Sequence, residues 1–376
     1  MTMINHSRSP YTATPTGHFY YDPAIYALEQ QRIFSSMWIC VSHTAVLPDP
    51  GMYQLVTIGH ESVILVRDQD GRLQAFLNVC QHRGTRLCAE EEGRFKGSIQ
   101  CPYHAWTYGL SGELIGAPNV FNHGAFDRTA FHLRPVALEI WEGLIWLNLA
   151  DHPSPLTVQL DEVARKRLNF TVPLAHYNME QLKVGKAISY DVQANWKVIF
   201  ENSSECYHCG PIHPEFCKLV SNVTSGQNSH DLSFLLAEGV EALTMTGRAS
   251  RPPLPGLDAE DIRRVYVASL FPNALITFFN DHVMLFLLEP KGPTSSRVTI
   301  LWLFDQSAVN SPDFDPMDTV VMADRAAQQD WNICEKVQAG MTSKAFASGG
   351  IYVPEEKYLR SFCDLVLERL YTEPVG

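Results

Sequence analysis

The chain has 376 residues, enough for two or three domains, each with its own core. Apolar residues make up 45% and charged residues 19%, which excludes an intrinsically disordered, collagen-like or coiled-coil protein. The net charge of −12 argues against nucleic acid or an anionic membrane surface as the main partner and suits a cationic small molecule.

The opening MTMINHSRSPYTATPTGHFYYDP has no apolar core of a secretory signal. The longest apolar run, Val265 to Phe279, is broken by Pro272 and Asn273 and falls short of the ~20 residues of a membrane span. A cytoplasmic protein is the expectation. Nine cysteines, an odd number, favour metal ligands and buried thiols over a disulfide framework.

In chain order, residues 1–37 read as a loose polar arm and a helix that starts at Asp22 and Pro23. Residues 38–150 carry short β-type runs at Tyr53–Ile58, Ser62–Arg67, Leu73–Val79 and Gly143–Leu149, broken by glycine, proline and Asp-Gly signals. They predict an all-β domain. Residues 151–376 mix helices with long strands: a helix over Asn195–Cys209, strands over Ala274–Glu289 and Arg297–Phe304, and helices over Met317–Gly340 and Glu355–Leu370. The fold class is therefore α+β. No GxGxxG or P-loop pattern is present, so no nucleotide site is signalled.

Two constellations carry chemistry. In the β-rich part, Cys80-Gln81-His82-Arg83-Gly84 is followed by Cys101-Pro102-Tyr103-His104. Two thiolates and two imidazoles suit tetrahedral zinc or a [2Fe–2S] cluster with one iron on Cys₂ and the other on His₂. The C-x-H half is awkward for a zinc knuckle, whereas a cluster takes one cysteine and one histidine from each loop. Cys88 matches no ligand position and is expected to be a structural thiol.

The second constellation is ENSSECYHCGPIHP, residues 201–214. Asn202, Glu205 and His208 are spaced by three and would share a helical face, with His213 returning beyond Gly210 and Pro211. This is a candidate two-histidine metal half-site, with Asn202 and Glu205 as candidate catalytic residues beside it. Cys206 and Cys209 would flank His208 on different sides of the helix, against a zinc site. In the Met317–Gly340 helix, Val320, Ala323, Ala327, Asp330, Cys334, Val337 and Met341 recur at helical steps. Asp330 is the one charge in that stripe. A buried carboxylate must be paired or metal-bound, so an ion pair remains the alternative to a metal ligand, while Asp324 and Glu335 fall off the stripe and are expected to be solvated.

CQHRG with CPYHAW resembles the Rieske signature of the non-haem iron oxygenases. NWKVIFEN with the downstream His-Pro, and QDWNICEKVQAG, are similar to the catalytic motifs of the same family. The resemblance implies an all-β Rieske [2Fe–2S] domain held by Cys80, His82, Cys101 and His104. It also implies a helix-grip catalytic domain with mononuclear Fe(II) on His208, His213 and Asp330. It further implies a head-to-tail trimer in which His104 reaches Glu205 across the interface. O₂ would be the co-substrate, and a separate reductase would supply electrons from NAD(P)H. With Glu205 as the bridging acid, the motif looks like the choline, carnitine and glycine-betaine branch, which hydroxylates carbon next to nitrogen and leads to N-demethylation or C–N cleavage of a small quaternary ammonium compound. Tyr266, Phe271, Phe278, Phe279, Phe286 and Trp302 are candidates for an aromatic cage, although strand aromatics are more often core. Ring hydroxylation of an aromatic acid, or a plain Rieske electron carrier, are the competing readings.

Overall fold

Reversals at Gly59 and Gly71 fold three β-type runs back on one another. The computed structural model, which describes residues 12–120, 126–168, 172–221 and 233–372, contains the resulting antiparallel sheet. Its order is Leu73–Leu77, Glu61–Arg67, Met52–Ile58, Glu92–Arg94. Both glycines have positive φ, 59° and 80°, a conformation that costs glycine nothing. Two three-stranded sheets complete this unit. One orders Ala137–Trp141, Leu144–Asn148 and Ile39–His43; the other orders Ser98–Gln100, Thr107–Gly109 and Leu114–Gly116. Ile64, Phe76, Ile99, Trp106 and Tyr108 share one core with Cys80, Cys88 and Cys101. The unit spans Gln30–Leu156, so residues 30–37, expected to go with the N-terminal arm, belong with the β-rich part.

The second unit joins the described residues up to Glu29 with those from Thr157 onward. Its centre is a seven-stranded antiparallel sheet in the order Lys183–Val192, Ser295–Phe304, His282–Gly292, Ala274–Phe278, Arg264–Leu270, Ser233–Leu236, Val220–Ser221. The single strand expected over Ala274–Glu289 is a hairpin, because Phe279 N donates to His282 O at 3.0 Å and closes a turn at Asn280 and Asp281.

The Met317–Met341 helix packs on the Trp196–Asn202 helix and on the Lys183–Val192 strand. Val320, Ala327 and Cys334 are buried, but Val337 is exposed and Gln338 takes its place inside. Gln338 is drawn in by polar contacts: its Oε1 accepts from Asn195 N at 2.7 Å and its Nε2 donates to Tyr20 O at 3.3 Å. The Pro23–Glu29 helix is tied to this unit by Glu29, which is fully buried and accepts from Lys197 Nζ and from Trp196 Nε1. Trp196, Phe200 and Phe271 close a ring cluster with Phe362 of the Lys357–Tyr371 helix. The architecture is α+β, as expected.

Candidate active site and metal centres

Cys80 and Cys101 open two turns built on one plan. Gly84 N donates to Cys80 O at 3.0 Å and Ala105 N to Cys101 O at 3.1 Å; Cys80 N donates to Thr85 O at 2.8 Å and Cys101 N to Trp106 O at 2.7 Å. The fourth residue after each cysteine is left-handed, with φ 72° at Gly84 and 56° at Ala105. That conformation costs a Cβ-bearing residue about 1–2 kcal/mol, so Ala105 marks strain held in a functional loop.

The two thiols are buried in one core, and the Tyr108 hydroxyl lies 3.3 Å from Cys80 Sγ. Burial pushes the Cys80 thiol up. Burial also acts on Cys101, but the backbone N–H groups of Tyr103 and His104 outweigh it and hold that thiol below its ordinary value, towards the thiolate that binds metal. The His82 and His104 rings sit 4.8 Å apart, and His82 stacks on Trp106 at 4.7 Å. Thiol beside thiol and imidazole beside imidazole is the partition a Cys₂/His₂ [2Fe–2S] cluster requires.

The helix expected over Asn195–Cys209 runs only from Trp196 to Asn202. Asn195 caps its start by accepting from Lys197 N at 2.9 Å. Ser203 Oγ and Ser204 Oγ donate back to Ile199 O (3.0 Å) and Phe200 O (2.7 Å), offering the last carbonyls an alternative to another turn. The Glu205 carboxylate then accepts from the backbone N–H groups of Tyr207 and His208, and a single turn, Cys209–Ile212, follows. Asn202, Glu205 and His208 therefore do not share a helical face. The irregular turn brings them together instead: His208 Nδ1 donates to Glu205 Oε1 at 2.6 Å, and Asn202 Nδ2 lies 3.5 Å from His208 Nε2. Cys206 and Cys209 are not on different sides of a helix either, since a disulfide joins them.

Asp330 closes the group. Its Oδ1 lies 3.3 Å from His208 Nε2 and 3.0 Å from His213 Nε2, and the three residues' donor atoms lie within 4.8 Å of one another. His213 Nδ1 donates to Gln329 Oε1 at 2.8 Å. Gln329 carries no signal in the sequence beyond its adjacency to Asp330. Each imidazole thus has Nδ1 engaged by an acceptor and Nε2 turned to a shared carboxylate. This donor set fits a 2-His-1-carboxylate Fe(II) site with outer-sphere anchors.

Burial disfavours a cation at His208, yet hydrogen bonds and charges from Asp330 and Glu205 raise its pKa to about 10. His213 is raised too, against its burial, through Asp330. Asp330 is held low by the two imidazoles despite burial. Carboxylates crowded around two imidazoles make the electrostatic setting that a divalent ion suits. Asp324, expected to be solvated, accepts instead from the Tyr190 hydroxyl at 2.6 Å.

A cavity of about 170 Å³ lies over these ligands and is lined by His208, His213 and Asp330 together with Phe216, Phe234, Phe279, Phe286 and Trp331. Of the six aromatics expected to form a cage, Phe279 and Phe286 line it. Phe271 packs on Trp196 and Phe362, Phe278 on Tyr177, Tyr266 donates to Asp261, and Trp302 is fully buried in the sheet. The pleat decides this. Val265 and Val267, Leu275 and Thr277, Met284 and Phe286 alternate onto the cavity face, and residues of the other parity point away.

Residues 179–372 match the family of the ring hydroxylating alpha subunit (catalytic domain), and residues 37–127 match the Rieske [2Fe-2S] domain. The chain belongs to the Rieske non-haem iron oxygenases: it is the oxygenase subunit, an O₂-dependent enzyme with a [2Fe–2S] domain and a non-haem iron catalytic domain. It is similar to the glycine betaine monooxygenase oxygenase subunit of Chromohalobacter salexigens, at 33% identity over 368 residues, covering 88% of this chain and 80% of that one. The carnitine monooxygenase oxygenase subunit of Escherichia coli is 39% identical over 203 residues, 54% of this chain and 53% of that one. A quaternary ammonium Rieske monooxygenase solved with L-carnitine shares the fold at TM-score 0.74 and 24% identity, over 96% of this chain and 95% of that one. Naphthalene 1,2-dioxygenase from Rhodococcus does so at TM-score 0.76 and 20% identity, over 98% and 97%. Among the described residues, no helix is long and apolar enough to cross a membrane.

Proposed function

We propose that this subunit catalyses monooxygenation of a small quaternary ammonium compound, hydroxylating carbon next to nitrogen, so that an N-methyl group leaves as formaldehyde or a C–N bond is cleaved. The observation that carries this reading is the cavity over His208, His213 and Asp330. Its lining includes the phenyl faces of Phe216, Phe234, Phe279 and Phe286 and the indole of Trp331, and among the described lining residues there is no lysine or arginine to repel a cation. Aromatic faces attract a trimethylammonium group by about 0.5–2 kcal/mol per contact. The relatives named for glycine betaine and carnitine point the same way.

Cys80, His82, Cys101 and His104 hold the cluster in this reading, and His208, His213 and Asp330 hold the iron, which supplies O₂ binding and activation. Glu205 fixes the His208 ring through Nδ1 and Gln329 fixes the His213 ring, keeping both Nε2 atoms on the metal side. Asn202 Nδ2 stands beside His208 Nε2. One oxygen atom enters the substrate and the other leaves as water, with two electrons drawn from NAD(P)H by a separate reductase. We assign the working assembly to a cytoplasmic head-to-tail trimer in which His104 of one subunit approaches Glu205 of the next.

The test is O₂ uptake with a surrogate reductase across betaines, carnitine, choline and aromatic acids. A quaternary amine that stimulates uptake and releases formaldehyde or a cleavage aldehyde in matching amounts supports the reading. Tight coupling to an aromatic acid, with no response to any quaternary amine, moves the enzyme to ring hydroxylation.

A further inference from the structure

Trp331 follows Asp330 in the chain and lines the cavity over the iron ligands. Among the described lining residues it is the only tryptophan, and no tyrosine accompanies it. Phe216, Phe234, Phe279 and Phe286 offer phenyl rings, which yield an electron far less readily than an indole or a phenol. An oxidising equivalent left in this cavity with no substrate C–H in reach meets Trp331 as its first easily oxidised ring.

Behind the indole stands Tyr190, on the Lys183–Val192 strand at the edge of the seven-stranded sheet. It is half-buried and does not line the cavity. The two ring centroids are 5.9 Å apart, so an electron crosses between rings in near contact. The Tyr190 hydroxyl donates to Asp324 Oδ1 at 2.6 Å, and Asp324 Oδ2 accepts from Gln328 Nε2 at 2.8 Å.

The two rings differ in where their protons can go. Trp331 Nε1 is buried and, among the described residues, has no hydrogen-bond partner. An indole that loses an electron there keeps its proton, and the hole stays mobile. Burial, then the hydrogen bond and charge of Asp324, push the Tyr190 phenol up, so the resting side chain is protonated. A phenol gives up an electron readily only as its proton leaves, and Asp324 Oδ1 is at hydrogen-bond distance to take it. The contrast sets a direction: a hole on Trp331 moves to Tyr190 and settles there, away from the cavity.

We propose that Trp331, Tyr190 and Asp324 form an oxidation relay that drains a misdirected oxidising equivalent from the iron site to the sheet edge. The proposal rests on the iron site at His208, His213 and Asp330 and not on the identity of the substrate. Trp331 gives one electron to the oxidised site and is refilled by one electron from Tyr190, whose proton passes to Asp324 Oδ1. Tyr190 is left as a neutral radical and Asp324 as a carboxylic acid. A thiol or ascorbate-type reductant restores Tyr190 with one electron, and Asp324 returns the proton.

The test is electron paramagnetic resonance of the holoenzyme freeze-quenched with hydrogen peroxide, which brings the oxidising power of O₂ plus two electrons in one reagent, without substrate. Wild type should show a tyrosyl radical signal. Tyr190→Phe and Trp331→Phe should lose it, and Asp324→Asn, which cannot take the proton, should weaken it. Tyr190→Phe removes only a hydroxyl and should retain iron, cluster spectrum and substrate-coupled turnover. Its peptide map should show more oxygenated Trp331 than wild type, an outcome that a purely structural Tyr190 would not produce. Absence of a tyrosyl signal in wild type, the same signal in Tyr190→Phe, or the same signal in Asp330→Ala, where the iron site is broken, overturns the inference. No substrate enters this experiment, so its failure is separate from that of the quaternary ammonium reading, which the O₂-uptake panel decides.

Discussion

Replacing Glu205 by glutamine tests the outer anchor of the iron site most directly. Glu205 is nearly buried, and its carboxylate accepts from His208 Nδ1 at 2.6 Å and from the backbone N–H groups of Tyr207 and His208. Glutamine fills the same volume but turns one acceptor into an NH₂ donor. Whichever way the amide faces, one of these contacts becomes donor against donor. A hydrogen bond to a charged group is worth about 1.5–3 kcal/mol, and changes to such outer anchors cost roughly 10–100-fold in metal affinity or activity. The Glu205→Gln enzyme should therefore lose iron to a chelator about 10–100-fold faster than wild type. Its cluster absorbance should not change, because Cys80, His82, Cys101 and His104 are untouched. Single turnover of pre-reduced enzyme with substrate and O₂ should slow by a similar factor. Wild-type iron retention together with wild-type cluster reoxidation would refute the reasoning.

Asp330→Ala should keep the cluster's absorbance and acid-labile sulfide but fall from about three irons per chain to about two, read by metal analysis; stoichiometric zinc without sulfide in the wild-type protein would sink both metal assignments. Gly84→Ala should lower holoenzyme stability by about 1–2 kcal/mol, since a Cβ must enter the left-handed turn. Ala105→Gly should stay near neutral, because relief of the same strain offsets glycine's greater unfolded-state entropy, as thermal unfolding would show. Burial raises the carboxyl of Glu201 to about 7, even though Cys363, Tyr20 and Lys197 pull it down. Being neutral in the folded state, it stabilises the protein fully below its unfolded value, and that contribution fades as pH rises through 7. Stability should fall by roughly 3 kcal/mol between about pH 4.5 and 7, and Glu201→Gln should flatten that slope in denaturant titrations.

The cluster loops were legible because cysteine and histidine spacing within a turn is local information, and local spacing survives into the fold. Asp330 was legible for a related reason, as the one charge in an apolar stripe. Asn195–Cys209 misled because its helical spacing continues past Asn202, while Ser203 and Ser204 bond back to the preceding turn. Gln329 and Gln338 depend on partners more than a hundred residues away, which no window along the chain contains. Aromatic type alone does not separate cavity-facing side chains from core ones. Strand parity would have selected Phe286 with His282 and Met284, but only once the hairpin at Asn280 and Asp281 was known.

The paired turns around Cys80 and Cys101 have a consequence for the direction of charge flow. The two loops hide sulfur and present nitrogen: the thiols lie in the core beneath Tyr108, whereas His82 is open to solvent, His104 is partly so, and Tyr103 beside it is 56% exposed. A cluster held by these four residues would have a sealed side and a solvent-facing one. If a separate reductase supplies the electrons, as proposed above, the imidazole side is the more accessible face for their entry and exit.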